Sequence, residues 1–330
     1  MRSDENTPYA YEIEGLLGRG AFGLVYRARL IGPEGFTRPV ALKVLKPAYA
    51  AADELVEQLR AEALALASLN HPAFIRVDRL VQLDLGWAVV MEQVHGLDLS
   101  ALLRVVGRLP LGPALELVGA VAGALHAAWT APDASGRPLR LMHRDLKPSN
   151  LMLTPFGEVK ICDLGTCQAP QRAPGAGPAL GTPDYAAPER FDGHDAPAGD
   201  IYALGVLLYE IISGERFGLA SPVRAWHEER WAEVVASAAG LLRPRGVNVE
   251  PVLDLIRYSL AFDASQRPDA AAFEATCQAV RVLIPDEGLR AWAGRTLPPL
   301  LRLAPPPDDE DPDEVTHKVP ASRAQRPAAG

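Results

Sequence analysis

Apolar and polar positions in the first part of the chain follow the short period of strands, with one helical stretch among them. Residues 11–30 predict a strand, a turn and a second strand, and residues 40–44 predict a short apolar strand. In residues 53–70, leucines recur at helical spacing on one face. Two more strand-like runs, residues 74–85 and 87–92, follow. The pattern therefore predicts a small β-rich region that contains one helix.

The second part of the chain has mainly helical patterning. Residues 111–129 are rich in alanine and leucine and apolar nearly all round, which is typical of a buried central helix. Residues 201–212 are a second apolar run, and residues 285–303 are a further helical stretch. Two short strands are predicted at residues 151–153 and 159–161. The predicted fold class is therefore α+β, with a β-rich first part and a larger helical second part.

Polar residues within the longest apolar runs and at the end of the chain bear on two questions, membrane spans and disorder. Glu116, His126 and Glu210 interrupt the apolar runs, so we expect buried helices and no membrane span. The start of the chain is polar and has no apolar signal segment. Residues 304–330 are rich in Pro, Asp, Glu and Ala and have almost no apolar anchors. We expect that tail to be disordered.

Charge and cysteine content narrow the partners and the compartment. The 330 residues carry a net charge of −8, so no general basic field favours nucleic acid. Cys162, Cys167 and Cys277 form no C-x-x-C pair, and such a sparse, odd set fits a reducing compartment better than a disulfide framework. We therefore expect a cytoplasmic protein that does not bind nucleic acid.

Three glycines lie between the first two predicted strands. Gly18, Gly20 and Gly23 let backbone amides approach a polyphosphate closely. The same spacing could belong to a dinucleotide-binding fingerprint, which needs a strand before it and a helix after it. Strand-forming residues 25–30 follow here, and then a turn at residues 32–35. A hairpin that covers phosphates is therefore favoured over the dinucleotide-binding alternative.

One carboxylate lies on the apolar stripe of the predicted helix. Glu62 falls on the same face as Leu59 and Leu66, and an unpaired buried carboxylate costs several kcal/mol. Lys43, the one lysine of the short apolar strand, is the expected partner. Alternatively, Glu62 lies at the margin of the stripe and is solvated.

The richest cluster of reactive groups lies in residues 143–150. Asp145 offers a carboxylate for a hydroxyl proton, Lys147 a cation for a migrating phosphoryl group, and Asn150 an oxygen ligand for Mg²⁺. A second metal-binding carboxylate, Asp163, follows thirteen residues after Asn150 and precedes Leu164 and a glycine. This combination is what phosphoryl transfer to a hydroxyl requires.

These motifs resemble the catalytic and magnesium loops of eukaryotic-type (Hanks-type) serine/threonine protein kinases of the bacterial kind. Residues 181–189 resemble the substrate-side loop and A-P-E motif of protein kinases, which small-molecule phosphotransferases lack. The resemblance covers residues 11–284. It implies a two-lobed fold with an N-lobe at 11–94 and a C-lobe at 97–284. Residues 1–10 would be an N-terminal extension and residues 285–303 a helical one.

The resemblance also implies roles for individual residues. Asp145 would orient the acceptor hydroxyl, Lys147 would neutralise the γ-phosphoryl group, and Thr182 would hydrogen-bond both. Asn150 and Asp163 would hold Mg²⁺. The implied ATP site consists of Gly18, Gly20, Gly23, Val25, Ala41, Lys43, Glu62, Met91, Glu92 and Val94.

The implied activity is transfer of the ATP γ-phosphoryl group to serine or threonine of protein substrates. A pseudokinase scaffold is one alternative, although Lys43, Asp145 and Asp163 are all present. A small-molecule phosphotransferase is the other, and residues 181–189 oppose it. Asp98 would either contact the ribose or cap a helix.

Three further expectations follow from the resemblance and from the loop composition. Asp200 would brace the catalytic loop, and Arg267 would pair with Glu189. Residues 168–180 contain no serine, threonine or tyrosine, so activity should not need phosphate there. Arg144, a common receiver of such a phosphate in the family, would instead bond backbone carbonyls or an acidic partner.

The tail contains one candidate phosphosite. Thr316 follows an acidic run, with Val319 three residues on, and is a candidate for reading by a phosphothreonine-binding partner. An inert solubilising tail is the alternative.

Overall fold

The structure is a computed structural model that describes residues 9–20, 23–46, 49, 53–83, 86–133, 135–163, 182–243, 248–303 and 318–320. It divides into two compact units. The first unit comprises Met1–Ser68, Ile75–Val94 and Leu303–Gly330, and the second comprises Leu69–Phe74 and His95–Arg302.

The first unit is an antiparallel sheet accompanied by one helix. Its strands and helix are β1 (Ala10–Arg19), β2 (Gly23–Ile31), β3 (Thr37–Leu45), α1 (Asp53–Ser68), β4 (Val77–Leu83), β5 (Gly86–Glu92) and β9 (Lys318–Pro320). The strand order is β4-β5-β3-β2-β1-β9. Because side chains alternate along a strand, Val40, Leu42 and Val44 of β3 share one face of the sheet. They form an apolar cluster there with Tyr11 and Val90.

The strand β9 is a departure from the predicted disordered tail. Its Val319 pairs with Tyr11, and its Lys318 with Glu12, in antiparallel register. The expectation that all of residues 304–330 are disordered is therefore wrong for these three residues. Without β9, β1 would be an edge strand with a row of unpaired backbone groups, which is a template for another strand. The rest of the tail, including Thr316, lies outside the described residues.

The second unit is mainly helical. Its elements are β6 (Leu97–Asp98), α2 (Leu99–Val106), α3 (Leu111–Thr130), β7 (Leu151–Leu153), β8 (Val159–Ile161), α4 (Pro197–Ser213), α5 (Arg224–Leu242), α6 (Glu250–Ser259), α7 (Ala270–Arg281) and α8 (Leu289–Leu303). The helix α3 packs against α4 and α7. It is long and apolar enough to cross a membrane by length and composition, but 72% of that stretch is buried inside the protein. Its surroundings are those of the buried central helix that the sequence predicted.

Two predicted boundaries differ from the structure. The strand expected to begin at residue 74 begins at Val77, and Phe74 instead forms a bridge with Ile161. Residues 84–85, the expected end of that strand, lie outside the described residues. The helix expected at residues 53–70 ends at Ser68. The choice left open for Asp98 is decided by a contact: its Oδ1 accepts a bond from the N–H of Ala101 at 2.8 Å, as a helix cap does.

The helix expected at residues 285–303 is α8, and it packs on the second unit. Its first amide, that of Leu289, donates to Glu116 Oε2 at 2.9 Å. Gly157 has a left-handed φ of 78°, and a Cβ there would lie 2.6 Å from the Cα of Arg290. Only glycine therefore fits where the β7–β8 turn meets this helix. Trp292 is buried.

Candidate active site

Three of the predicted catalytic side chains are hydrogen-bonded to one another in the second unit. Lys147 Nζ donates to Asp145 Oδ2 at 2.6 Å and to Thr182 Oγ1 at 2.7 Å. The backbone N–H and the hydroxyl of Thr182 donate to Asp145 Oδ1 at 2.8 Å and 3.0 Å. The carboxylate of Asp145 is therefore oriented from both sides, by the cation on one oxygen and by residue 182 on the other.

Asn150, one of the two candidate metal ligands, is hydrogen-bonded to Asp145. Its Nδ2 donates to the backbone oxygen of Asp145 at 2.8 Å and to Asp145 Oδ2 at 3.2 Å. The Cys162 N–H donates to the Asn150 carbonyl at 2.8 Å, so the β7–β8 hairpin places Asn150 across from the residue before Asp163.

Both candidate magnesium ligands fit that ion. The side-chain nitrogen of Asn150 is used within the loop, which makes its Oδ1 the atom that would ligate. Asp163 is exposed and has a left-handed φ of 67°. Mg²⁺ is usually held by one or two carboxylates together with substrate phosphates. An amide oxygen and one exposed carboxylate meet that requirement.

The backbone before Asp145 is held by Asp200, as predicted. Asp200 Oδ2 accepts the His143 N–H at 2.7 Å, and Oδ1 accepts the Arg144 N–H at 2.8 Å. His143 is buried, and desolvation lowers the pKa of its imidazole, so the ring is neutral near pH 7. Its Nδ1 accepts from the Asp145 N–H at 3.3 Å, and Nε2 faces the Cys162 carbonyl at 3.3 Å. The neutral ring with the hydrogen on Nε2 satisfies both contacts.

The predicted pair of Arg267 and Glu189 is present and bidentate. Arg267 Nη1 and Nη2 donate to the two Glu189 carboxylate oxygens at 2.6 Å and 2.8 Å. The Arg267 side chain is fully buried. Its other bonds go to the carbonyl groups of Ala198, Ala261 and Phe262, outside the catalytic loop.

Two residues that contact the catalytic loop were not singled out from the sequence. Arg190 is 4% exposed, and its Nη1 donates to the Arg144 carbonyl at 2.5 Å. The side chain of Arg144 bonds to Asp195, the acidic partner that was expected without being identified. Nothing local marks Arg190 as buried, because an arginine directly after Glu189 is equally compatible with a solvated surface.

The first unit brings several predicted nucleotide-binding residues onto one face of its sheet. Val25 is opposite Lys43 in the β2–β3 register, and Ala41 is opposite Met91 in the β3–β5 register. Because opposite residues and alternate residues of a sheet point to the same side, these four side chains share a face. That face is opposite to the apolar cluster of the unit.

Lys43 and Glu62 are paired on that face. Lys43 Nζ donates to the two Glu62 carboxylate oxygens at 2.7 Å and 2.8 Å. The Glu62 side chain is 7% exposed and that of Lys43 is 17% exposed. The alternative of a solvated Glu62 is therefore wrong: the carboxylate is buried and has the strand lysine as a partner.

The three glycines differ in what requires them. A Cβ on Gly23 would lie 3.0 Å from the Val44 carbonyl oxygen, so the β2–β3 pairing itself favours glycine there. A Cβ on Gly18 would meet no described atom within 4 Å, and one on Gly20 only the Gly23 carbonyl oxygen at 3.5 Å. Packing against the described residues therefore does not explain why glycine stands at positions 18 and 20. A strand follows Gly23 rather than a helix, which excludes the dinucleotide fingerprint.

Met91 and Glu92, two residues of the implied ATP site, lie at the end of β5. The Glu92 N–H donates to the Arg76 carbonyl at 2.9 Å, and Glu92 Oε1 accepts the Arg76 N–H at 2.9 Å. Val94, at the end of the segment Ile75–Val94 of the first unit, is half-buried. Residues 21–22 of the glycine-rich turn and residues 164–181, with Leu164 and the segment expected to need no phosphate, lie outside the described residues.

Comparisons with known proteins place this fold and these motifs in one family. The protein kinase domain family matches residues 11–278. Serine/threonine-protein kinase PknA of Mycobacterium tuberculosis (strain ATCC 25618 / H37Rv) is 39% identical over 214 residues, which cover 62% of this chain and 47% of PknA. PknL of the same strain is 34% identical over 207 residues, covering 62% of this chain and 49% of PknL.

A tyrosine-protein kinase and a solved structure are also similar. MasK of Myxococcus xanthus (strain DK1622) is 35% identical over 217 residues, covering 63% of this chain and 34% of MasK. The crystal structure of the Mycobacterium tuberculosis PknI kinase domain aligns with a TM-score of 0.58 and 27% identity, covering 84% of this chain and 99% of that domain.

The fold is thus the two-lobed α+β fold of protein kinases. The chain belongs to the protein kinase domain family, whose members use ATP and Mg²⁺. It spans about half the length of PknA and PknL.

Proposed function

We propose that this chain is a serine/threonine protein kinase that transfers the γ-phosphoryl group of ATP to protein hydroxyl groups with Mg²⁺. The observation that carries the proposal is the bonding of Asp145 and Lys147 to Thr182. Thr182 belongs to the segment that resembles the substrate-side loop of protein kinases. The proposed catalytic carboxylate is thus tied to the segment that would hold a protein acceptor.

The geometry also suggests how an acceptor hydroxyl enters. A carboxylate offers about four lone-pair positions. Those of Asp145 have four contacts, two from Thr182, one from Lys147 and a longer one of 3.2 Å from Asn150. A serine or threonine hydroxyl would replace the Lys147 or the Asn150 contact on Oδ2. Lys147, released from Asp145, would then turn to the γ-phosphoryl group, where positive charge stabilises the transition state.

The cofactor roles follow the same assignment. Lys43, held by Glu62, would contact the α- and β-phosphates, and Asn150 and Asp163 would hold Mg²⁺. Met91, Glu92 and Val94 would line the adenine site. These side chains position the nucleotide, and the bound Mg²⁺ supplies charge neutralisation between its phosphates.

The acceptor class is the point on which the relatives differ. PknA and PknL are named serine/threonine kinases, whereas MasK is named a tyrosine kinase. Residues 147–150 read Lys-Pro-Ser-Asn, which resembles the serine/threonine type. We therefore assign serine and threonine as acceptors.

A transfer assay with acid hydrolysis of the product tests this proposal. The chain is incubated with labelled ATP and Mg²⁺, alone and with a general protein acceptor, beside the Asp145→Asn variant. We expect phosphoserine and phosphothreonine in the wild-type reactions and almost none with the variant. Phosphotyrosine alone would refute the acceptor class. Nucleotide binding with no transfer above the variant would refute the kinase and leave a scaffold.

Two further proposals concern location and tail. We place the protein in the cytoplasm, because its cysteines are sparse and form no C-x-x-C pair; cell fractionation tests this. We also propose Thr316 as a phosphosite for a phosphothreonine-binding partner, on the acidic run before it. Mass spectrometry of active protein that finds Thr316 always unmodified would refute the second.

A further inference from the structure

The residue before the proposed catalytic aspartate has a strained backbone. Arg144 has a left-handed φ of 67°, a conformation that costs a non-glycine residue about 1 kcal/mol or more. Its N–H is accepted by Asp200 Oδ1 at 2.8 Å, and its carbonyl accepts from Arg190 Nη1 at 2.5 Å. Both polar backbone groups of this residue are therefore held by side chains.

The two side chains that hold it form an ion pair with each other. Arg190 Nη2 lies 3.3 Å from Asp200 Oδ1, and these side chains are 5% and 4% exposed. Asp195 extends the pair: its Oδ1 lies 3.2 Å from Arg190 Nη2, and its Oδ2 accepts from the Arg144 side chain. We call Arg144, Arg190, Asp195 and Asp200 the loop clamp. Two cations and two anions balance, so the buried charges are compensated.

We propose that Arg190 and Asp195 are positioning residues of the phosphotransfer reaction. They fix the backbone of Arg144, and with it the direction in which the Asp145 carboxylate meets the acceptor hydroxyl. This inference rests on the proposed kinase function. Neither residue contacts the reacting atoms in this scheme; both act through Arg144 and Asp145.

The neighbouring buried arginine shows what a purely structural role looks like. Arg267 is also paired with a carboxylate, but its carbonyl contacts are to residues 198, 261 and 262. Arg190 instead contacts the carbonyl that directly precedes the amide of Asp145. A small rotation at this peptide displaces the carboxylate, and a misplacement of about 1 Å at a reacting group costs about 100-fold in rate.

The decisive variant is Asp195→Asn, which keeps the side-chain shape and removes the charge. We expect kcat to fall about tenfold, or about 1.4 kcal/mol in the barrier. KM for ATP should stay within about twofold, because the phosphate-binding candidates Lys43 and Glu62 belong to the first unit. Arg190→Lys is the second variant, because one ammonium cannot reproduce the fork that reaches a carbonyl and two carboxylates. It should lower kcat at least as much.

Glu116→Gln is the matched control. Glu116 pairs with Arg281 in the same unit, with side chains 36% and 22% exposed, against 30% and 16% for Asp195 and Arg144. This variant removes the charge of a comparable ion pair far from the catalytic loop in sequence. Its kcat should match that of the wild type, although its thermal unfolding temperature falls as much as that of Asp195→Asn.

The outcomes separate the inference from the function on which it rests. If wild type and Asp145→Asn transfer equally little phosphate, the kinase proposal and this inference both fail. If the wild type is active but Asp195→Asn and Arg190→Lys keep kcat within twofold, only the positioning role is refuted. It is also refuted if Glu116→Gln loses as much kcat, or if the loss equals the loss of folded protein measured by near-ultraviolet circular dichroism. Should Arg190→Lys fail to fold, Asp195→Asn alone decides.

Discussion

A double-mutant cycle on Lys43 and Glu62 tests the most specific expectation about the first unit. The variants are Lys43→Met, Glu62→Gln and the two together. The two N–O distances are 2.7 Å and 2.8 Å. At these separations, two unit charges attract by about 6 kcal/mol at an effective dielectric constant of about 20. Desolvation of both groups and the rotamer entropy of lysine, about 2 kcal/mol, oppose this attraction.

We expect a net coupling free energy of about 2 kcal/mol, within the range of about 0.5–3 kcal/mol measured for residues in contact. Each single variant should lose about 100-fold or more in kcat/KM for ATP, because it disturbs the lysine that positions the phosphates. The double variant should be about 30-fold more active than the product of the two losses predicts.

The assay is initial-rate phosphotransfer at several ATP concentrations, with amide hydrogen exchange of β3 and α1 as the stability readout. The ion pair of Arg38 and Asp78 in the same unit is the control. Arg38→Met and Asp78→Asn should change exchange protection but leave kcat/KM within about threefold. Additive losses for Lys43 and Glu62 would refute the inference that their contact serves catalysis.

Four further predictions concern chemistry, loop, tail and pH. Asp145→Asn should lower kcat by roughly three orders of magnitude or more while ATP still binds, whereas Asp163→Ala should weaken Mg-ATP binding and turnover together. Residues 168–180 hold no hydroxyl group, and Thr166, directly after Gly165, is the nearest hydroxyl residue before them. Phosphatase treatment and Thr166→Ala should therefore each change activity less than about tenfold. Deleting residues 304–330 should leave activity nearly intact but should speed hydrogen exchange of the β1 amides, because the deletion removes the paired strand β9. Unchanged protection of those amides would contradict this prediction. Burial lowers the pKa values of His143, His71 and His227, so the unfolded chain binds more protons near pH 6 and the free energy of unfolding should rise with pH up to about 6.5. His143→Gln should reduce that slope in denaturant titrations at several pH values.

Much of the site could be predicted because its residues break a local pattern. Glu62 is a carboxylate on an apolar helical stripe, and Gly18 and Gly20 are closely spaced glycines between two apolar strands. Such a break has a cost in free energy, so it points to a partner or a ligand. The structure gives Glu62 a cation at 2.7 Å, and no described side chain or backbone atom accounts for Gly18.

What could not be predicted depends on contacts between distant segments. Arg190 is buried with partners from several segments: the Arg144 carbonyl, 46 residues earlier, and the carboxylates of Asp195 and Asp200. The strand β9 exists only because β1 presents an edge that accepts it. Phe74 was predicted to belong to a strand of the first unit but forms a bridge with Ile161. Periodicity is a local signal, so it does not indicate which distant residues will be in contact.

The loop clamp gives a physical reason for the composition of residues 168–180. The guanidinium of Arg144, before the catalytic aspartate, needs an anion because its side chain is only 16% exposed. Phosphate on a loop hydroxyl can supply that charge, but only after modification. Asp195 supplies it permanently and shares it with Arg190, which in turn holds the strained peptide. Because Asp195 already neutralises Arg144, this arginine does not require a phosphorylated residue within residues 168–180, whose sequence contains no hydroxyl group.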